Sequence, residues 1–136
     1  SSYTFIIKQG KTFNRRFVYN PDGSPFDFTG YEVRSQIKSG FGAGATVHCT
    51  LSSSIAADGT GFTMTPTSAS IVLPRSSGSI GMTISAYSSS LFNFDTAYID
   101  IEFYSGSGAT QYVNELISGK VKLLKEVTTL ANEKVY

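Results

Sequence analysis

Short runs in which apolar and polar residues alternate recur along this chain, most of them closed by glycine, proline or aspartate. A period of two sends successive side chains to opposite faces of a β-strand. Tyr3, Phe5 and Ile7 alternate with Thr4, Ile6 and Lys8. Phe13 to Tyr19 predicts a second strand with Phe13, Phe17 and Tyr19 on one face. Arg15 shares that face, so either it lies at an exposed end or its stem packs while its head reaches water. Tyr31, Val33, Ser35 and Ile37 alternate with Glu32, Arg34, Gln36 and Lys38, which predicts a half-buried strand with its polar side outward. Val47, Cys49 and Leu51 continue the inward pattern, with Thr46, His48 and Thr50 opposite. Phe62 and Met64, then Ile71 to Leu73, then Ile80, Met82 and Ile84 predict shorter strands. From Tyr98 to Tyr104, Ile99, Ile101 and Phe103 face inward, and Tyr98, Asp100, Glu102 and Tyr104 face outward. Tyr112 to Ile117 and Val121 to Leu124 predict two closing strands, parted by a turn at Ser118-Gly119-Lys120.

The connections carry turn chemistry. Asn20-Pro21-Asp22-Gly23-Ser24-Pro25 presets one turn dihedral with proline and offers Asp-Gly for positive φ. Asp27, Thr29 and Gly30 predict a second reversal, with Gly30 at positive φ and Asp27 accepting a local backbone hydrogen bond. Gly40, Gly42 and Gly44 surround Phe41 in a loop that lacks the lysine and hydroxyl residue of a phosphate-binding loop. Asp58-Gly59-Thr60-Gly61 reads as a tight turn, without the further acidic ligands of a calcium loop. Residues 85–95 are the one place for a helical turn, and their serines make poor helix.

Some eight to ten short strands without a long helix can bury their apolar faces only against another sheet or by closing on themselves. The expected fold is an all-β, antiparallel β-sandwich, with a small partly open β-barrel as the alternative. Its core is expected to hold Phe17, Val33, Ile37, Ile99, Ile101 and Phe103. At 136 residues the chain is the size of one domain (1–136), with a polar tail from about residue 127 that frays or docks on a neighbour.

Composition narrows the function classes. Charged residues make up 15% and the net charge is +1, while serine and threonine supply a quarter of the chain. Such a weakly charged surface suits a subunit held among neighbours. The scattered basic residues, paired only at Arg15-Arg16, point away from nucleic acid. No stretch is apolar enough to cross a membrane as a helix. Cys49 is the one cysteine and His48 the one histidine. Adjacent strand residues project to opposite faces, so this pair is read as a small buried thiol and an exposed imidazole, with no nucleophile and base, no metal centre and no cofactor. Asp100 and Glu102 lie about 6.6 Å apart along one strand face. That spacing matches an inverting glycosidase pair, which leaves a glycoside hydrolase as a weak alternative. Tyr98 and Tyr104 beside them suit sugar stacking. The ten phenylalanines and eight tyrosines should mostly be core. Phe41, Phe92 and Phe94, read as loop residues, are the candidates for exposed contact.

Three segments together resemble one family. They are Phe5-Ile6-Ile7-Lys8-Gln9-Gly10 with Thr12-Phe13 and Phe17; Asp22-Gly23-Ser24-Pro25-Phe26-Asp27-Phe28-Thr29-Gly30-Tyr31 continuing through Val33 to Ile37; and Tyr98 to Glu102 with Ser118-Gly119-Lys120-Val121 leading to Glu126-Val127-Thr128. They are similar to the small β-sandwich domains of tailed-bacteriophage baseplate upper proteins and related tail components. The likeness runs in order along most of the chain and is poor over 40–80. It implies a virion structural subunit without catalytic residues, assembled in the host cytoplasm against other virion proteins and copies of itself. Position in the tail, baseplate, neck or adaptor, or as a capsid decoration, stays open. In the family, Pro25, Gly30 and Tyr31 would hold turn and strand-start roles. The alternative expectation is a carbohydrate-binding module for host attachment, in which the partner is a host glycan.

Overall fold

The computed structural model describes residues 2–68 and 70–125. Among them are ten strands: β1 (Ser2–Lys8), β2 (Phe13–Val18), β3 (Glu32–Lys38), β4 (Val47–Ser52), β5 (Gly61–Thr63), β6 (Thr67–Ser68), β7 (Ile71–Val72), β8 (Ser79–Ile84), β9 (Thr96–Ser105) and β10 (Tyr112–Leu124). One short α-helix, α1 (Ala86–Ser90), occupies the expected place, and single 3-10 turns lie at Arg75–Ser77 and Gly108–Thr110. The polar tail from about 127 lies outside the described residues, as does the Glu126-Val127-Thr128 part of the resemblance.

Five strands form one sheet in the order β1-β10-β9-β3-β4, and three form a second in the order β2-β8-β5. Neither closes into a barrel, so the sandwich is the architecture. A separate two-stranded ribbon, β6-β7, pairs with neither main sheet. Pairing is antiparallel except between β1 and β10, which run parallel. The chain changes sheet after β1, β2, β4 and β8, so the core is stitched from segments distant in sequence.

The inward alternation holds where the sequence pattern is cleanest. Phe17, Val33, Ile37, Ile99, Ile101 and Phe103 are all buried, joined by Phe5, Ile7, Ile80, Met82 and Ile84. Each such side chain contributes about 1.5–3 kcal/mol by leaving water. Arg15 is exposed, yet its guanidinium carbon lies 5.5 Å from the Phe5 ring centroid and 5.9 Å from that of Phe13. The charged head caps the core edge while remaining in solvent.

The 20–30 segment behaves as its residues predict. Gly23 and Gly30 take positive φ, +80° and +86°. The Asp27 carboxylate accepts a 2.9 Å hydrogen bond from the Thr29 N–H. Hydrogen bonds from Thr29 hold this carboxyl below its ordinary range. The turn turns Phe28 fully inward and leaves Phe26 half-buried beside it.

Three expectations need correction. Ser118-Gly119-Lys120 is not a turn: β10 runs unbroken from Tyr112 to Leu124, with one irregularity between Glu115 and Ile117. Gly119 sits opposite Tyr3 of β1, and a Cβ there would collide with the Tyr3 carbonyl oxygen. The glycine therefore serves a close strand approach. Val47 faces outward, 46% exposed, because Ile37 pairs with Cys49 and Lys38 with Val47. The skipped residue, His48, is a bulge that reverses the alternation. It stacks on Phe94 with ring centroids 4.6 Å apart, so it is not a plain outward residue. Phe92 and Phe94, expected as exposed loop aromatics, are buried at 4% and 9%. Their segment is pinned by the Gln9 side-chain amide donating to the Phe92 carbonyl at 2.8 Å and by the Leu123 N–H donating to the Asp95 carbonyl at 3.0 Å.

Two glycine substitutions separate backbone strain from collision. Nothing lies within 4 Å of a Cβ built on Gly30, so Gly30→Val should lose about 1 kcal/mol or more through its positive φ alone. Gly119→Ala should lose about 1–3 kcal/mol by forcing β1 away from β10. Urea unfolding of the two variants measures both, and an unchanged midpoint in either refutes that assignment.

Candidate functional site

The outer face of the five-stranded sheet collects the polar residues that alternation denies to the core. From β9 come Tyr98, Asp100, Glu102 and Tyr104. From β3, in register, come Lys38 opposite Tyr98, Gln36 opposite Asp100, Arg34 opposite Glu102 and Glu32 opposite Tyr104. Thr50 of β4 stands opposite Gln36. The result is a flat strip with two shallow depressions. One, about 350 Å³, is lined by Arg34, Gln36, Thr50, Asp100 and Glu102. The other, about 150 Å³, is lined by Gln36, Lys38, Phe41, Tyr98 and Asp100. Gln36 and Asp100 belong to both, so the depressions are continuous.

One end is preset by Arg34. Its Nε donates to Glu102 Oε1 at 2.5 Å, and its guanidinium carbon lies 4.4 Å from the Tyr104 ring centroid. An exposed ion pair contributes at most about 1 kcal/mol, and a cation–π contact at such a site about 0.5–1 kcal/mol. Together they fix the orientation of a long side chain rather than stabilise the fold. Tyr104 is thereby engaged by its own neighbour. Glu102 is committed to an arginine, and Asp100 stands exposed beside it.

The other end is aromatic. Phe41 is 84% exposed, and its ring centroid is 5.0 Å from that of Tyr98, with planes inclined at 42°. The glycine loop carrying Phe41 is closed at its base: the Ser39 N–H donates to the Thr46 carbonyl at 2.8 Å, and the Thr46 N–H to Ser39 Oγ at 2.9 Å. Lys38 Nζ reaches across to the Gly42 carbonyl at 2.6 Å. Phe41 is therefore presented over the strip by a tethered loop. Of the expected contact residues, Phe41, Tyr98, Asp100, Glu102 and Tyr104 meet on this face, while Phe92 and Phe94 belong to the core.

The sequence matches no family model and no curated protein.

Sequence reasoning passed over Arg34, Gln36 and Thr50 as site residues. Their outward placement was visible in the alternation of their strands. Their apposition to β9 depends on cross-strand register, which a single strand's pattern does not carry.

A second concave region, about 470 Å³, lies between β4 and α1 and is lined in part by His48, Cys49, Ala57, Asp58, Tyr87 and Leu91. Asp58 organises its polar side. The carboxylate accepts from Ser85 Oγ at 2.7 Å, Ser88 Oγ at 2.5 Å and the Thr60 N–H at 3.0 Å. Ser85 Oγ in turn accepts from the Ser88 N–H at 3.0 Å, as the N-cap of α1. The bonds from Ser85, then Ser88, then Thr60 hold the Asp58 carboxyl far below the ordinary carboxylate range. Burial first, and the Asp58 charge second, push the half-buried Cys49 thiol up to about 11. A thiol kept protonated at neutral pH is a poor nucleophile. Among the described residues no group of three or more His, Cys, Asp or Glu side chains is placed to hold a metal ion.

Two pH experiments follow. In folded protein, Cys49 alkylation by iodoacetamide should stay slow through pH 9 and accelerate as pH nears about 11, whereas in urea it accelerates near pH 8.5. The folded state then holds the proton that the unfolded state releases, so stability falls as pH rises from about 8.5 towards that value. Asp58 has the opposite sign: its depressed folded pKa gives stability above about pH 4 that is lost as pH falls further. Asp58→Ala should lower the melting temperature at pH 7 and flatten the acid decline. Fast alkylation at pH 8 in folded protein, or an unaltered acid limb in Asp58→Ala, contradicts these assignments.

Proposed function

We propose that this chain is a non-enzymatic structural subunit of a tailed-phage particle, serving in its tail, baseplate, neck or adaptor. It is assembled in the host cytoplasm through contacts with other virion proteins and copies of itself. The observation that carries this reading is the β6-β7 ribbon. It stands outside both main sheets, and Ile71 and Val72 of β7 are 64% and 63% exposed. No charged residue occurs between Asp58 and Arg75. A neutral, apolar-sided ribbon is costly to leave in water and suits burial against a neighbouring subunit. Tyr87 and Leu91, both 67% exposed near α1, add a further uncovered apolar area.

The segments that resemble the phage domains support the same reading through their roles. Gly30 supplies the positive-φ position of a turn, Asp27 closes it, and Tyr31 packs its ring against Phe103 at 5.5 Å between centroids. These are scaffold roles, which suits a subunit whose work is to hold shape and bind neighbours. A hydrolytic role gains nothing from the strip, where Glu102 is held by Arg34.

Cryo-electron microscopy of the intact particle tests the proposal, with density for this chain as the expected result. The ribbon is tested separately. Ile71→Glu with Val72→Glu should leave the melting temperature within a few degrees, because both side chains are already in solvent, yet abolish incorporation into particles. Normal incorporation of the double variant would remove the ribbon from the interface. Absence of the chain from purified virions would defeat the proposal itself.

A further inference from the structure

We propose that the outer strip of the five-stranded sheet binds neutral pyranose oligosaccharides, with Phe41 and Tyr98 as the stacking platform and Gln36, Asp100 and Arg34 as the hydroxyl-binding floor. This goes beyond the assembly role and does not rest on it. A pyranose ring offers an apolar C–H face and a rim of hydroxyls that both donate and accept. The strip supplies the complement of each. Phe41 is 84% exposed, a large apolar ring held beside Tyr98 and open to solvent rather than folded into the core. Immediately along the strip, Gln36 and Asp100 line both depressions. An amide donates and accepts, a carboxylate accepts from paired hydroxyls, and a guanidinium donates. Arg34 is already oriented by Glu102 and Tyr104, so little of its freedom is lost on binding.

Shape and charge narrow the ligand class. From Tyr98 to Tyr104 the strand runs about 20 Å, the length of a short oligosaccharide rather than one sugar. The floor is shallow and open at both ends, which suits an internal stretch of a chain and a weak affinity, on the order of 0.1–1 mM. Arg34 is paired with Glu102, whereas Asp100 is exposed without an ion pair among the described residues; Lys38, donating to the neutral Gly42 carbonyl, and Lys120 of β10, opposite Tyr98, keep their positive charge at the Phe41 end. Charges of both signs give an acidic sugar no track of cations to follow, and Asp100 opposes it at the centre of the strip. Neutral pyranosides meet no such repulsion.

Saturation-transfer difference NMR on the isolated chain is the test, with maltohexaose, cellohexaose, chitohexaose and a galactose hexasaccharide as neutral probes and oligogalacturonate as the acidic one. At least one neutral probe should receive saturation, strongest at its ring protons, and oligogalacturonate should bind more weakly than that probe. Phe41→Ala and Asp100→Asn should each weaken the binding by about tenfold with the melting temperature unchanged, since both residues lie in solvent. No transfer to any neutral probe, tighter binding of oligogalacturonate, or binding indifferent to both substitutions would overturn the proposal.

Discussion

One side chain ties the two layers together. Phe103, in the central strand of the larger sheet, has ring centroids of Tyr19, Phe26, Phe28, Tyr31 and Tyr112 at 5.8, 5.2, 5.5, 5.5 and 6.4 Å. Hydrogen bonds of a ladder act within a sheet, so the facing layers cohere chiefly through side chains. Aromatic pairs add about 0.5–1.5 kcal/mol each beyond the area they bury. Against a total stability of about 5–15 kcal/mol, a cluster of five such contacts is a large share even if they add poorly. Tyr19 follows the edge strand of the smaller sheet, and Tyr112 opens β10. Phe26 and Phe28 come from the 20–30 segment. That segment is therefore more than a connection: its prolines and positive-φ glycines aim two rings at Phe103. The Phe28 N–H is further anchored to the Arg75 carbonyl at 3.0 Å.

The same alternation that fills the core writes the outer face. Every inward Ile99, Ile101 or Phe103 forces its neighbour Asp100, Glu102 or Tyr104 outward. Because β9 lies between β10 and β3, those outward residues form the middle of a broad surface rather than an edge. A surface of this kind is rigid by inheritance, since its side chains stand on strands whose other faces are packed. The one part of the strip that does not stand on a strand is a loop tethered at its base, and that loop carries Phe41. A rigid floor with one loop-borne aromatic wall suits a weak, shallow binding surface.

What the sequence made legible follows from periodicity, and what it hid follows from contacts between distant segments. The faces of β3 and β9 could be read because every second residue agrees. The reversal at His48 could not, because a bulge depends on how β4 pairs with β3, and a local pattern does not contain its partner. Gly119 deceives for a related reason. Between lysine and serine it resembles a turn, and only the approach of β1 reveals why a strand needs a glycine there. Phe92 and Phe94 sit in a segment with no period, which suggested exposure. Gln9 and Leu123, far away in sequence, pull that segment onto the body and turn its rings inward. The outer strip was half legible: β9 announced its tyrosines and carboxylates, while the arginine that claims Glu102 came from another strand by register.

The two proposed surfaces belong to different layers, and this lets them coexist. The base of the β6-β7 ribbon rests on the smaller sheet: a Cβ on Gly81 of β8 would touch Pro66 at 3.5 Å, and Pro66 and Thr67 share a surface depression with Arg16, Thr63 and Thr83. The polar strip covers the outer face of the larger sheet. Apolar burial gains strength with area and needs few directed contacts, so it suits permanent attachment. Directed hydrogen bonds around one exposed ring suit reversible capture. A subunit anchored through the side of its smaller sheet would leave the larger sheet facing outward, with Phe41 at its rim. The division of chemistry, neutral and apolar on the ribbon and polar with one aromatic wall on the larger sheet, is the physical reason to treat assembly and sugar capture as separate proposals for one sandwich.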